Sequence, residues 1–175
     1  MQPEIIDKQP VSIAGFTSRH KMRDVRSTHD IPFYAETSGM NYWDPLIRLH
    51  NLFTKSRHTE YLMCIDIDET LDEFTYMLGV GVDNPEDLAK IEPDMKRMDV
   101  PGGLYAKFTT NMVAEGKYEE AIAGLWETAF DTWLPSSEYE YDDSRNDFEY
   151  YDERDHFYHN RGLGGMDIFI PIKKR

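Results

Sequence analysis

Apolar residues alternate with polar ones along several short stretches of the chain, and a helical spacing interrupts that alternation twice. Pro10 to Thr17 carries Val11, Ile13 and Phe16 in a β-leaning context, bounded by Pro10 and the basic stretch from Arg19 to Lys21, and predicts a strand. The stretch from Met22 to Asn41 is irregular. Asp44 and Pro45 then open a helix, since Asp44 suits the cap and Pro45 the first turn, where a missing N–H costs nothing. Leu46, Leu49, His50 and Phe53 follow at i, i+3, i+4 and i+7 as a single stripe. Tyr61 to Ile67 reads as a strand with Tyr61, Met63, Ile65 and Ile67 on one face. After a polar turn, Phe74 to Val82 is a second strand and closes a hairpin. Phe74, Tyr76, Leu78, Val80 and Val82 share one face; Met77, Gly79 and Gly81 share the other, where another backbone or a ligand can come close. Asp83 to Leu88 is a turn followed by a short helical piece.

The same order then recurs. Pro101 to Thr109 resembles the first strand, with Ala14-Gly-Phe-Thr17 aligning on Ala106-Lys-Phe-Thr109. A helix is predicted from Lys117 to Trp133 on the stripe Ile122, Leu125, Trp126, Ala129, Phe130 and Trp133, ended by Leu134 and Pro135. A strand from Asp147 to Glu153 and a closing strand from Gly165 to Ile172 complete the repeat, with Pro171 marking an edge position or a strand end. Strand–helix–strand–strand, twice over, predicts an α+β fold: two half-modules forming a curved antiparallel sheet, helices on one face and a ligand groove on the other where the halves meet. Each half is too small for a full core, so residues 1–175 are expected to form a single domain, with half-modules at about 1–92 and 93–175.

Composition narrows the function. The chain has 175 residues, is 13% aromatic and carries a formal net charge of −14. Such acidity argues against direct nucleic-acid binding and against anionic membrane surfaces, and it attracts cations or basic protein surfaces. The single cysteine, Cys64, lies in an apolar run and reads as a small buried hydrophobe. With no signal-peptide pattern and no apolar run of spanning length, a cytoplasmic location is the simplest expectation.

No catalytic motif stands out, and no cofactor is expected. Asp66 to Asp72 looks briefly like a calcium loop but lacks the glycine at the sixth position and the closing glutamate. His156 and His159 read as surface-loop residues, so no metal site is predicted. The chemistry instead centres on Glu149. Phe148 and Tyr150 point one way along their strand, Glu149 and Tyr151 the other. A carboxylate beside an aromatic ring in a half-closed site suits a flat apolar cation. If Leu104, Ala106 and Phe108 pack under the helix, Tyr105 points to the groove side, Ile13 takes the matching position in the first half, and Glu149 and Tyr151 face the same way. Tyr76 and Trp126 are further candidates, although Trp126 also fits the core on its apolar stripe.

These marks together resemble a GyrI-like small-molecule-binding domain, also met as the effector-binding half of AraC- and MerR-type regulators. They are Val11 to Gly15, Tyr76 to Val82, Val100 to Phe108, Trp126, Trp133 to Tyr139, Asp147 to Tyr151 and Met166 to Ile172. The resemblance implies two modules related by pseudo-two-fold symmetry and a groove for hydrophobic, often cationic drugs. It places the family's Glu-x-Tyr pattern on Glu149 and Tyr151, its tyrosine after the Pro-Gly element on Tyr105, and a second acid of some relatives on Glu127. It begins almost at residue 1 and includes no helix-turn-helix, so a stand-alone member is expected, with the longer 22–41 and 111–116 segments covering or narrowing the groove. The expected function is binding of hydrophobic, cationic small molecules by a sequestrant or sensor rather than catalysis. The alternatives are a hydrolase of reactive cyclopropane-bearing genotoxins, with Glu149 activating water, and a DNA gyrase inhibitor-like protein with a basic protein partner. The oligomeric state is not legible.

Overall fold

The computed structural model describes residues 1–21, 43–55 and 59–175. The irregular stretch 22–41, expected to cover a groove, lies outside them. In chain order the strands are β1 (Glu4–Lys8), β2 (Val11–Lys21), β3 (Glu60–Asp68), β4 (Glu73–Gly81), β5 (Lys96–Val100), β6 (Gly103–Thr109), β7 (Val113–Ala114), β8 (Tyr139–Tyr141), β9 (Phe148–Tyr151), β10 (Leu163–Gly164) and β11 (Asp167–Lys174). The helices are α1 (Trp43–Phe53), α2 (Tyr118–Glu127) and the short α3 (Leu134–Ser136). The class is α+β, as the alternating and helical spacings predict. The chain divides into two compact units, Ser12–Asp99 and a second made of Met1–Val11 with Val100–Arg175.

In the unit Ser12–Asp99 the order is strand, helix, strand, strand. β4 lies between β2 and β3, antiparallel to both, and β5 flanks β2. Ala14 and Val80 face α1 and pack with Leu49, Phe53 and Met95, so the even-numbered residues of β2 and β4 form the helix face. His50 lies on the α1 stripe, and its Nε2 meets Glu60 Oε1 at 2.8 Å, a boundary histidine paired with a buried acid. On the reverse face Gly15 stands directly opposite Gly79, and both are buried.

The other unit repeats that order with β6, α2, β9 and β11. The last strand, β11, again sits between the first, β6, and the second, β9. Phe108 of β6 meets Trp133 edge-on, with ring centroids 5.5 Å apart, which fixes the helix on the Phe108 face. α2 runs on through a π-helical stretch, Thr128–Trp133, before α3. Two features depart from the sequence reading. Glu4–Lys8 pairs antiparallel with β6, so residues near the N-terminus serve the second unit. Pro171 lies inside a central strand rather than at an edge. β9 covers β11 at residues 167–169 and β8 covers it at 172–174, so Pro171 falls in the break between them, where its missing N–H leaves no ladder bond unmade.

Arg145 closes one end of this sheet. Its side chain is bound to the Leu104 and Ile172 carbonyls at 3.0 Å each, pairs with Asp142, and lies 4.7 Å from the centre of the Tyr105 ring. Two residues on, burial pushes the Asp147 carboxyl upward, while the Tyr141 hydroxyl, 3.2 Å away, pulls it the other way. A carboxyl with a raised folded-state pKa favours folding fully below its unfolded value, and that contribution is lost as pH rises through the folded value. Asp147→Asn, which keeps an acceptor for Tyr141, is therefore expected to raise stability at pH 7. The gain should vanish as pH falls below the ordinary carboxyl range, at about 4, and urea melts across that range read it.

Candidate functional site

The register of the second unit places the candidate residues. Phe108, Ile168 and Glu149 stand in one row across β6, β11 and β9, so Glu149 shares the helix face with Phe108. α2 crosses that face, and Ile122 and Leu125 bury themselves there. Trp126, half-buried beside them, turns its indole inward, and Nε1–H donates to Glu149 Oε1 at 2.9 Å. From β9 itself, the Tyr151 hydroxyl donates to the other carboxylate oxygen at 2.7 Å. The Glu149 residue is only 2% exposed. Two aromatic donors, one from the helix and one from the strand, thus fix both oxygens of a buried carboxylate. Bonds to both oxygens hold the carboxyl group in one orientation.

The indole of Trp126 stacks on Phe130, with centroids 6.0 Å apart and planes 12° apart, and Phe130 touches Tyr141. On the other side Tyr118, in the first turn of α2, is buried and packs edge-on against Phe157 at 5.0 Å. Tyr118 carries no sequence signal beyond its place four residues before Ile122 on the apolar stripe, and the sequence reading passed over it.

Glu149, Tyr151 and Trp126 are brought together, and other candidates are placed elsewhere. Tyr105 was expected on the same side as Glu149 and is not. It shares its face with Phe148 and Phe169, whose rings lie 5.8 and 6.4 Å away, and Phe148 and Glu149 are consecutive in one strand and so point to opposite sides. Tyr105 is 0% exposed, and burial pushes its hydroxyl upward. Glu127 is exposed, one residue past Trp126 and turned from the buried stripe. Ile13 and Tyr76 belong to the other unit. There Tyr76 stands with Phe74 on the helix face, while Ile13 is buried on the reverse face beside Gly79. Among the described residues, no group of three or more His, Cys, Asp or Glu is arranged to hold a metal. No helix there is long and apolar enough to cross a membrane.

A family profile described as integron-associated effector binding protein matches residues 4–172. The chain belongs to this family. As an effector-binding protein it also shares its fold with solved structures of low sequence identity. SAV2435, in a structure bound to tetraphenylphosphonium, is 16% identical with a TM-score of 0.67; the match covers 99% of this chain and 94% of that one. The C-terminal domain of EcmrR is 11% identical with a TM-score of 0.57, covering 99% and 98%. An integron cassette protein of Vibrio cholerae is 13% identical with a TM-score of 0.53, covering 99% and 97%. No curated protein sequence matches the chain significantly. The resemblance drawn from the sequence motifs thus holds at the level of family and fold.

The two donors to Glu149 can be tested separately from any ligand. Tyr151→Phe removes one of them while keeping the ring, and leaves a buried carboxylate oxygen short of a bond. A loss of about 1–2 kcal/mol of folding stability is expected in urea melts at pH 7. A change within error of zero would mean that the Tyr151 hydroxyl does not hold the carboxylate in solution.

Proposed function

We propose that this effector-binding protein binds hydrophobic, cationic, drug-like molecules at Glu149, acting as a sequestrant or sensor. The observation that carries the reading is the buried carboxylate clasped by Trp126 and Tyr151. A negative charge away from bulk water acts on a nearby cation through a lower effective dielectric than at the surface, so the same Coulomb attraction is larger. Aromatic rings around it add π-faces, which favour cations and tolerate varied ligand shapes. The acidic balance of the chain, with a net charge of −14, favours approach of cations over anions. Tetraphenylphosphonium, the ligand in the SAV2435 structure, is a bulky apolar cation of the kind this chemistry would take.

Titration of the full chain with tetraphenylphosphonium, followed through tryptophan fluorescence, tests the reading. Saturable binding is expected, with weaker binding of neutral triphenylmethane. Non-saturable binding, or equal affinity for the two compounds, would overturn it. Consumption of a bound cyclopropane-bearing compound, lost in Glu149→Gln, would instead favour a hydrolase.

A further inference from the structure

Phe130 stands behind the indole that reaches Glu149. Trp126 donates to Glu149 Oε1 at 2.9 Å, yet Trp126 is half-buried, so core packing alone does not fix the plane of its ring. Phe130, four residues on and therefore on the same side of the helix, lies against that ring, with centroids 6.0 Å apart and planes 12° apart. A near-parallel pair at this separation is offset rather than face to face, which is a favoured arrangement of aromatic rings.

Phe130 is itself backed from the sheet. Tyr141 packs on it with centroids 5.8 Å apart and planes 46° apart. Tyr141 is tied down twice, since it stands opposite Ile172 in the ladder of β8 with β11 and its hydroxyl bonds to Asp147 at 3.2 Å. The contacts run in one row, from Asp147 through Tyr141, Phe130 and Trp126 to Glu149. Phe130 is the member of that row with no polar side-chain atom, so its part is one of packing. It lies in the π-helical stretch Thr128–Trp133, a form that helices adopt rarely and often at functional sites.

We propose that Phe130 is a positioning residue of the Glu149 site, holding the Trp126 indole in the plane from which its N–H meets the carboxyl group. The inference rests on the binding function proposed above and deepens it: the preference of the site for cations depends on a ring that need not touch the ligand. Without Phe130 the indole gains rotamer freedom, and ordering it again on binding costs affinity. Neutral ligands make no use of the orientation of the carboxyl group and lose less.

The test compares the wild-type chain with Phe130→Leu, which keeps apolar bulk and removes the flat ring, and with Phe130→Tyr, which keeps the ring. The readouts are the affinities for tetraphenylphosphonium and neutral triphenylmethane, and the indole N–H signals in NMR spectra of the ligand-free, nitrogen-labelled chain. The Trp126 signal is assigned by its loss in Trp126→Phe. Phe130→Leu is expected to weaken tetraphenylphosphonium binding about three- to tenfold and to leave triphenylmethane binding within about twofold. The Trp126 signal should move toward that of a solvent-bonded indole, while the Trp133 signal, from a ring packed on Phe108, stays in place. Phe130→Tyr should match the wild type in both readouts. An unmoved Trp126 signal in Phe130→Leu would overturn the inference, because the indole would then be held without Phe130. Equal losses for the two compounds would also overturn it, because Phe130 would then meet the ligand itself, and so would a Trp133 signal that moves along with that of Trp126, which would report a change in the whole helix. Each of these leaves the binding function standing. Failure of the wild type to bind either compound would overturn both proposals.

Discussion

Glu149→Gln is expected to weaken binding of tetraphenylphosphonium by about 1–3 kcal/mol, roughly 5- to 150-fold, while binding of neutral aromatic compounds changes little. The substitution removes the charge and little else. Glutamine has the same shape, its amide oxygen can still accept from Trp126 Nε1, and its NH2 can turn toward the Tyr151 oxygen, so the clasp of Trp126 and Tyr151 survives. Folding stability should accordingly stay close to that of the wild type, which separates a lost charge from a collapsed site. The cost of the change falls only on ligands that used the charge. Equal losses for cations and neutral compounds would mean that Glu149 shapes the site without acting through its charge. No loss for either would mean that ligands do not reach it. Both measurements belong at fixed ionic strength, since the general acidity of the surface is screened by salt while a buried carboxylate is screened much less.

Within a single strand, the alternation of side chains was enough to read which residues travel together. In β4 the period of two separates Phe74, Tyr76, Leu78 and Val80 from Met77, Gly79 and Gly81, and α1 packs on the first set as that pattern requires. β9 likewise keeps Glu149 and Tyr151 on one side. What alternation does not carry is the phase between strands. Tyr105 of β6 and Glu149 of β9 are related only through β11, by the pairings of Pro171 with Tyr105 and of Ile168 with Glu149. A one-residue difference in that register exchanges the faces, and a residue expected beside the carboxylate lies behind the sheet instead. The bond between Trp126 and Glu149 spans 23 residues and depends on which face the helix covers, which no local pattern states. The apolar stripe correctly buried Ile122 and Leu125, yet the same stripe concealed Trp126 as a donor, because indole counts as apolar until its N–H is asked for a partner. β1 was missed for a different reason. Glu4–Lys8 has two adjacent isoleucines between charged residues, and it is held by its backbone ladder to β6 rather than by a buried alternating face.

Adding one methyl group at residue 15 should do more harm to the fold than any change at the site. Gly15 and Gly79 face each other across β2 and β4, and their bare α-carbons let the two backbones approach on that side. A Cβ on Gly15 would press into the Leu78 carbonyl oxygen and stand 2.6 Å from the Gly79 Cα and 2.9 Å from the Leu78 carbonyl carbon. These are backbone atoms of a paired neighbour, so no rotamer change relieves the overlap; the strands must part and give up ladder bonds. Gly15→Ala is expected to cost roughly 3 kcal/mol or more, the range in which overpacking with backbone displacement falls, and to appear as insoluble or partly unfolded protein. Gly124→Ala supplies the opposite sign. That glycine sits within α2 with nothing within 4 Å of an added Cβ, so alanine relieves the glycine penalty in a helix and should stabilise by about 0.5–1 kcal/mol. Both variants add the same methyl, so their difference reports the space around each residue rather than hydrophobicity. Wild-type stability in Gly15→Ala would mean that β2 and β4 do not approach each other in solution as the register of Gly15 on Gly79 requires.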